Sequence, residues 1–119
     1  MLYVDDEPSL RDLVAELLRR RGYIVDTAGD GTEGWQKVND ERAGFDLVIT
    51  DRQMPKMDGL IFVRMLRQAK FPGRIIVFSA ALTPTCLEEL SSLSVDAVVP
   101  KGTPAAALLA IVADVTRPR

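Results

Sequence analysis

Short apolar runs alternate with helix-like segments along the whole chain of 119 residues. The runs lie at residues 2–4, 23–27, 45–50, 75–78 and 95–99. The third and fourth runs are almost continuously apolar, which is typical of central strands covered on both faces. Because the connections are short and parallel neighbours are joined by right-handed crossovers, the pattern predicts one α/β domain in which five strands form a parallel sheet between five helices.

The first helical segment has the clearest period. Pro8 suits the first turn of a helix, and Gly22 suits the position just past its end. Between them, apolar residues recur at the spacing of one buried helix face. These residues are Leu10, Leu13, Val14, Leu17 and Leu18.

Three later helices are predicted from capping residues at their starts. Thr32 is the expected cap of the second helix, while Thr83 before Pro84 and Thr103 before Pro104 give a cap-plus-proline signal for the fourth and fifth.

Residue types and charge exclude several classes of function. A net charge of −2, from 15 basic and 17 acidic residues, gives no electrostatic footprint for nucleic acid. The absence of histidine excludes Ser-His-Asp and Cys-His nucleophilic sites and the common zinc sites. A single cysteine, Cys86, permits no internal disulfide, and no apolar run is long enough to cross a bilayer. We therefore expect a cytoplasmic protein.

Polar residues follow four of the five strand-like runs. Asp5 and Asp6 follow the first, Asp51 the third, Ser79 the fourth and Lys101 the fifth. Ligands of open α/β sheets bind beyond the carboxyl ends of the strands, so these side chains converge on one rim. Clustered carboxylates repel one another unless a cation joins them, and Mg²⁺ suits so few protein ligands. With a lysine beside them, the ligand that such a site would hold is a phosphoryl group.

Each of these residues also has an ordinary structural interpretation when taken alone. Asp5 and Asp6 could cap the first helix, Asp51 could begin a turn, Ser79 could simply end a strand, and Lys101 could be a solvated surface lysine. Only their joint position at the strand ends favours a functional site.

Several stretches together resemble the receiver domains of bacterial response regulators, of the chemotaxis-regulator type. They are Val4-Asp5-Asp6-Glu7, Asp46 to Asp51 with Met54-Pro55-Lys56-Met57-Asp58-Gly59, Ser79-Ala80, and Lys101. The resemblance covers essentially residues 1–119 and implies a flavodoxin-like sheet with the strand order 2-1-3-4-5.

The resemblance also implies roles for the acidic residues. Asp51 is the expected phosphoacceptor, which takes a phosphoryl group from the phosphohistidine of a sensor histidine kinase or a phosphotransfer protein. Asp6 and Asp51 are expected to bind Mg²⁺ directly, together with the backbone carbonyl of Gln53, while Asp5 acts mostly through water.

The remaining site residues are expected to contact the phosphoryl group and to couple phosphorylation to a change at the protein surface. Lys101 pairs with one phosphoryl oxygen, Ser79 moves to hydrogen-bond another, and the small Ala80 leaves access. The output face is formed by the fourth helix, fifth strand and fifth helix, which control a partner or an output domain. The chain is expected to catalyse only its own phosphorylation and dephosphorylation.

Two features depart from the family pattern. Most receivers have Lys-Pro with a cis peptide after the fifth strand, whereas this chain has Pro100-Lys101-Gly102, and a Lys-Gly bond is expected to be trans. Val98 stands where the family commonly carries an aromatic switch residue, so coupling from Ser79 to the surface is expected to be weakened. Both features leave open an alternative, a degenerate receiver that serves as a phosphorylation-independent interaction module.

The last helix has two interpretations. Its stripe of Leu108, Ile111, Val112 and Val115 should face the sheet, but the other side is also apolar. The residues on that other side are Ala106, Leu109, Ala110 and Ala113. This side could reflect the helix propensity of alanine, or it could be a surface for a homodimer or another partner.

Two enzyme or cofactor classes fit the sequence less well. A haloacid-dehalogenase-type phosphatase needs D-x-D after a strand, but the chain has Asp51-Arg52-Gln53. A dinucleotide or flavin site needs a glycine-rich or hydroxyl-rich loop where Asp5-Asp6-Glu7-Pro8 lies.

Overall fold

The computed structural model describes residues 1–40, 44–54, 57–79 and 83–117, with Ser79 described by its backbone. This part of the chain alternates five strands with five helices. In chain order they are β1 Leu2–Val4, α1 Pro8–Arg20, β2 Asp26–Ala28, α2 Gly31–Val38, β3 Leu47–Asp51, α3 Gly59–Gln68, β4 Arg74–Ser79, α4 Pro84–Ser92, β5 Ala97–Pro100 and α5 Ala105–Thr116. None of these helices is both long and apolar enough to span a membrane.

All the strands are parallel and lie in the order β2-β1-β3-β4-β5. The flavodoxin-like fold and strand order implied by the resemblance are therefore confirmed. The order reverses between β1 and β3, which pair with each other through Val4 and Thr50. Asp5 and Asp51, the residues after these two, lie at that switch point, where α/β sheets bind their ligands.

The sheet separates two hydrophobic cores because side chains alternate along each strand. On one face, α2, α3 and α4 pack over Leu2, Val4 and Val48. On the other, α1 and α5 pack over Tyr3, Leu47 and Ile49. Burial on both faces explains the continuous apolar runs seen in β3 and β4.

Three strands are shifted relative to their predicted ranges. The third was expected at residues 45–50 and forms at Leu47–Asp51. The second was expected at residues 23–27, but it forms at Asp26–Ala28 because its partner β1 offers only Leu2–Val4 for pairing. Ile24 is consequently 90% exposed. The fifth was expected at residues 95–99, but it forms at Ala97–Pro100, where its partners on β4 begin at Ile76.

Helix capping confirms one predicted cap and corrects two. Thr83 accepts a hydrogen bond from the backbone N–H of Cys86, with Pro84 opening α4, as expected. Thr32 is not a cap, because Asp30 accepts from the N–H of Glu33 in that role. Thr103 is not a cap either: its hydroxyl donates to the carbonyl of Pro100, and Pro104 itself stands before α5.

Two predicted helix faces also need correction. Leu13, expected in the buried stripe of α1, is 52% exposed, while its neighbour Val14 is buried against the sheet. Leu109, expected on the outer side of α5, is buried with Leu108 and Val112. The stripe of α5 is therefore wider than predicted, and the outer side of this helix presents mainly small alanines.

Candidate functional site

The rim at the carboxyl ends of the strands brings together most of the predicted site residues. Asp5 and Asp6 follow β1, Asp51 ends β3, and Lys101 follows β5. Lys101 Nζ lies 2.9 Å from Asp51 Oδ2 and donates a hydrogen bond to it, and it lies 3.8 Å from Asp5 Oδ2. The pairing of residues 50 positions apart is produced by the sheet, since β3 and β5 both pair with β4.

The three carboxylates form a group with the dimensions of a metal site. Each offers one oxygen, and these oxygens lie within 4.8 Å of one another. Asp5 and Asp51 are buried, whereas Asp6 is exposed to solvent. Lys101 supplies one positive charge against three negative ones, so a hard divalent cation with oxygen ligands fits the remaining charge.

Burial and charge shift the pKa values of the central ion pair. Burial is the largest influence on Asp51 and raises its pKa above the ordinary value, although hydrogen bonds from Lys101 and the N–H of Gln53 oppose it. For Lys101, burial acts to lower the pKa, but the carboxylates of Asp51, Asp5 and Asp6 together hold it above the ordinary value. Lys101 is therefore a permanent cation at neutral pH.

Backbone groups fix the orientation of two carboxylates. The N–H of Gln53 donates to Asp51 Oδ1 at 3.1 Å, and the N–H of Glu7 donates to Asp5 Oδ1 at 3.0 Å. A Cβ at Gly59 would overlap the backbone oxygen of Asp51, so only glycine lets α3 start this close to the end of β3. The N–H of Gly59 also donates to the carbonyl of Arg52 at 2.7 Å.

Two residues at the site were not among those predicted from the sequence. The hydroxyl of Tyr3 donates to Asp5 Oδ2 at 3.0 Å, although the residue reads as part of an apolar strand. Arg11 Nη1 donates to the carbonyl of Asp5 at 3.0 Å from the first turns of α1. The period of two in strands, which places Tyr3 and Asp5 on the same face, could have indicated the first contact.

The turn after β5 places Lys101 without a cis peptide. Every peptide bond in the described ranges is trans, which confirms the expectation for Lys101–Gly102. Gly102 has φ of +87°, a conformation that favours glycine, and this turn reverses the chain directly after the lysine.

The switch residues are described only in part. Ser79 ends β4, where its backbone pairs with Pro100, but its side chain and the whole of Ala80 lie outside the described residues. Val98 pairs with Val77 and is partly buried against the core under α2, α3 and α4.

Comparison with known proteins agrees with this architecture. A family model described as the response regulator receiver domain matches residues 1–113. The gliding motility regulatory protein of Myxococcus xanthus is 35% identical over 104 residues, which are 86% of this chain and 13% of that protein. The chemotaxis protein CheY of Treponema pallidum is 33% identical over 81 residues, or 67% of this chain and 56% of that protein. The chain thus spans less than two thirds of these curated relatives.

A solved structure extends the similarity to three dimensions. The chemotaxis protein CheY4 of Vibrio cholerae is 34% identical, with a TM-score of 0.83 over 96% of this chain and 95% of that one. The chain belongs to the response regulator receiver domain family. It is accordingly a receiver domain of the phosphorylation-based signalling carried out by two-component systems.

Proposed function

We propose that Asp51 accepts a phosphoryl group from the phosphohistidine of a sensor histidine kinase or phosphotransfer protein. The observation that carries this proposal is the contact of Lys101 Nζ with Asp51 Oδ2 at 2.9 Å, beside two further acids at the switch point of the sheet. In this reaction an oxygen of Asp51 forms a bond to phosphorus while the phosphorus–nitrogen bond of the donor breaks, and its electron pair stays on the imidazole.

The residues around Asp51 support this chemistry. Lys101 offers a fixed positive charge to the phosphoryl oxygens, on which negative charge is concentrated during transfer. The N–H of Gln53 holds one carboxylate oxygen, which limits the orientations that Asp51 can take.

Asp6 and Asp51, with the backbone carbonyl of Gln53, would hold Mg²⁺, and Asp5 would act mostly through bound water. When bound, this ion offsets the charge of the carboxylates and of the phosphoryl oxygens. The exposure of Asp6 beside two buried acids gives the site an open side toward solvent.

The proposed output is a change of the face formed by α4, β5 and α5. A phosphoryl group adds about two negative charges and strong acceptor oxygens, which would draw the hydroxyl of Ser79 toward it past the small Ala80. This face would then control a partner, an output domain or a second copy of the chain. We place this activity in the cytoplasm. We propose that the chain catalyses only its own phosphorylation and dephosphorylation. We also propose that it makes no direct contact with nucleic acid or membrane.

Incubation with Mg²⁺ and acetyl phosphate, followed by intact mass measurement, tests the proposal. The native chain is expected to gain the mass of one phosphoryl group, and Asp51→Asn is expected to gain none. Asp12→Asn, which removes an exposed acid from α1, is the matched control and should behave as the native chain. No gain on the native chain would contradict the proposal and favour the alternative function, a phosphorylation-independent interaction module.

Val98 provides a prediction about the switch. A valine has no ring that can turn between a buried and an exposed position, so phosphorylation should alter the surface of this receiver only weakly. We expect acetyl phosphate to change amide hydrogen exchange across residues 84–100 little in the native chain and more in Val98→Tyr. Ser79→Ala should abolish the larger response in Val98→Tyr. A large response in the native chain that Val98→Tyr does not increase would contradict this expectation.

A further inference from the structure

Tyr3 is a buried polar residue whose hydroxyl lies within the acidic site. It is 1% exposed, as is Asp5, and its hydroxyl donates to Asp5 Oδ2 at 3.0 Å. The hydroxyl is thus a neutral donor to a carboxylate that lies beside the other two acids.

The position of this hydroxyl is fixed by the sheet. Tyr3 is the middle residue of β1 and is paired on both sides, with Thr27 of β2 and Ile49 of β3. Its ring packs edge-on against Phe78 with the ring centroids 6.3 Å apart. A side chain held in this way has little freedom to leave Asp5.

The two oxygens of Asp5 therefore have separate donors. Oδ1 accepts from the N–H of Glu7, and Oδ2 accepts from Tyr3. Lys101 Nζ lies 3.8 Å from the same Oδ2 but 2.9 Å from Asp51 Oδ2. Tyr3 thus occupies one acceptor position of Asp5 Oδ2, and the lysine makes its shorter contact with Asp51.

We propose that Tyr3 is a positioning residue of the metal site, which holds the Asp5 carboxylate in the orientation that reaches the cation through bound water and leaves Lys101 on Asp51. This inference rests on the proposed function, since it concerns the same site. Groups that orient metal ligands typically change metal affinity by about 10- to 100-fold when removed.

The test is a titration of the protein with Mn²⁺, as a paramagnetic substitute for Mg²⁺, in which free Mn²⁺ is measured by electron paramagnetic resonance. Tyr3→Phe removes the hydroxyl and retains the ring, and it is expected to raise the Kd for Mn²⁺ about tenfold. Tyr23→Phe is the matched control, because the Tyr23 hydroxyl lies 3.4 Å from Thr116 Oγ1, away from the acids. Its Kd should equal that of the native chain.

A second pair of measurements separates positioning from a general effect on folding. Tyr3→Leu also lacks the hydroxyl and should raise the Kd in the same way, so the test does not depend on one variant. In phosphorylation by acetyl phosphate, both variants should need more Mg²⁺ for half-maximal rate but approach the native rate at saturating Mg²⁺.

The outcomes distinguish this inference from the proposed function. If the native chain binds Mn²⁺ and Asp6→Asn does not, while Tyr3→Phe and Tyr3→Leu bind as tightly as the native chain, the positioning role is overturned and the metal site stands. If the native chain binds no Mn²⁺, both ideas are overturned.

Discussion

At the scale of a single residue, Asp51 is both the proposed phosphoacceptor and a buried charge that disfavours the folded state. It is 4% exposed and shares its surroundings with Asp5 and Asp6, so its charge is stabilised mainly by one lysine. Burial raises the pKa of Asp51, which means that the folded state binds a proton more readily than the unfolded state does. The contribution of Asp51 to the free energy of unfolding is fully present below the pKa that it has in the unfolded chain. It is lost as the pH rises through the higher pKa that it has in the folded chain.

Asp51→Asn is accordingly expected to stabilise the chain at neutral pH in the absence of divalent cations. The gain in unfolding free energy should be largest at neutral pH and should shrink toward zero as the pH falls below the ordinary pKa of an aspartate, where Asp51 is protonated in both the folded and the unfolded state. Urea unfolding in EDTA across this pH range measures the effect. Asp12→Asn, which makes the same change of net charge at an exposed position, is the control.

At the scale of single elements, three helices end in the same backbone arrangement. The helices α1, α3 and α4 are each followed by a residue with left-handed backbone, at φ of +92° for Gly22, +60° for Lys70 and +56° for Ser94. Each of these residues donates to the carbonyl three positions earlier, and the next N–H donates five positions back, as from Phe71 to Leu66. This is the Schellman arrangement, in which glycine is preferred because a Cβ strains the left-handed region.

Lys70→Gly and Ser94→Gly are each expected to stabilise the chain by about 0.5–1 kcal/mol, since they relieve this strain without removing a described contact of the side chain. Gln68→Gly is the matched comparison, because Gln68 is the last helical residue of α3 and glycine there should destabilise the chain. Urea unfolding curves of the three variants measure these changes in the free energy of unfolding. A loss of stability in both Lys70→Gly and Ser94→Gly would contradict the expected strain.

The ends of the helices and strands differ in how well they can be predicted from the sequence. Gly22 was recognised as a helix end because glycine is common there, but Lys70 and Ser94 carry no such signal, and their conformation depends on the chain that follows. The limits of β2 could not be predicted from its own residues, because the length of its partner β1 sets them.

At the site, Asp5, Asp51 and Lys101 were predictable because they end strands, and sheet topology alone brings strand ends together. The hydrogen bond from Tyr3 to Asp5 was not predicted, because the period of two shows only that both side chains lie on one face and not that the hydroxyl reaches the carboxylate. The exposed position of Leu13 was missed for a similar reason, since the helical period gives the centre of a buried face but not its width.

Cation binding and folding are linked at the scale of the whole molecule, because the acids meet only when the sheet is formed. A ligand that binds only the folded state stabilises it by about 2.7 kcal/mol at a concentration 100-fold above its Kd. We expect Mg²⁺ to raise the melting temperature of the native chain in a concentration-dependent way, as followed by differential scanning calorimetry. Asp6→Asn should lose most of this increase, whereas Asp12→Asn should retain it; an equal increase in all three proteins would argue against a specific site.

The two outer strands have a further consequence for how the molecule associates. At one edge, β2 is only three residues long, and the carbonyl of Thr27 accepts a hydrogen bond from Lys37 Nζ. At the other edge, β5 is only four residues long. Short edge strands and outward backbone groups that already have partners oppose the addition of a further strand. Edge-to-edge aggregation of the sheet is thereby disfavoured.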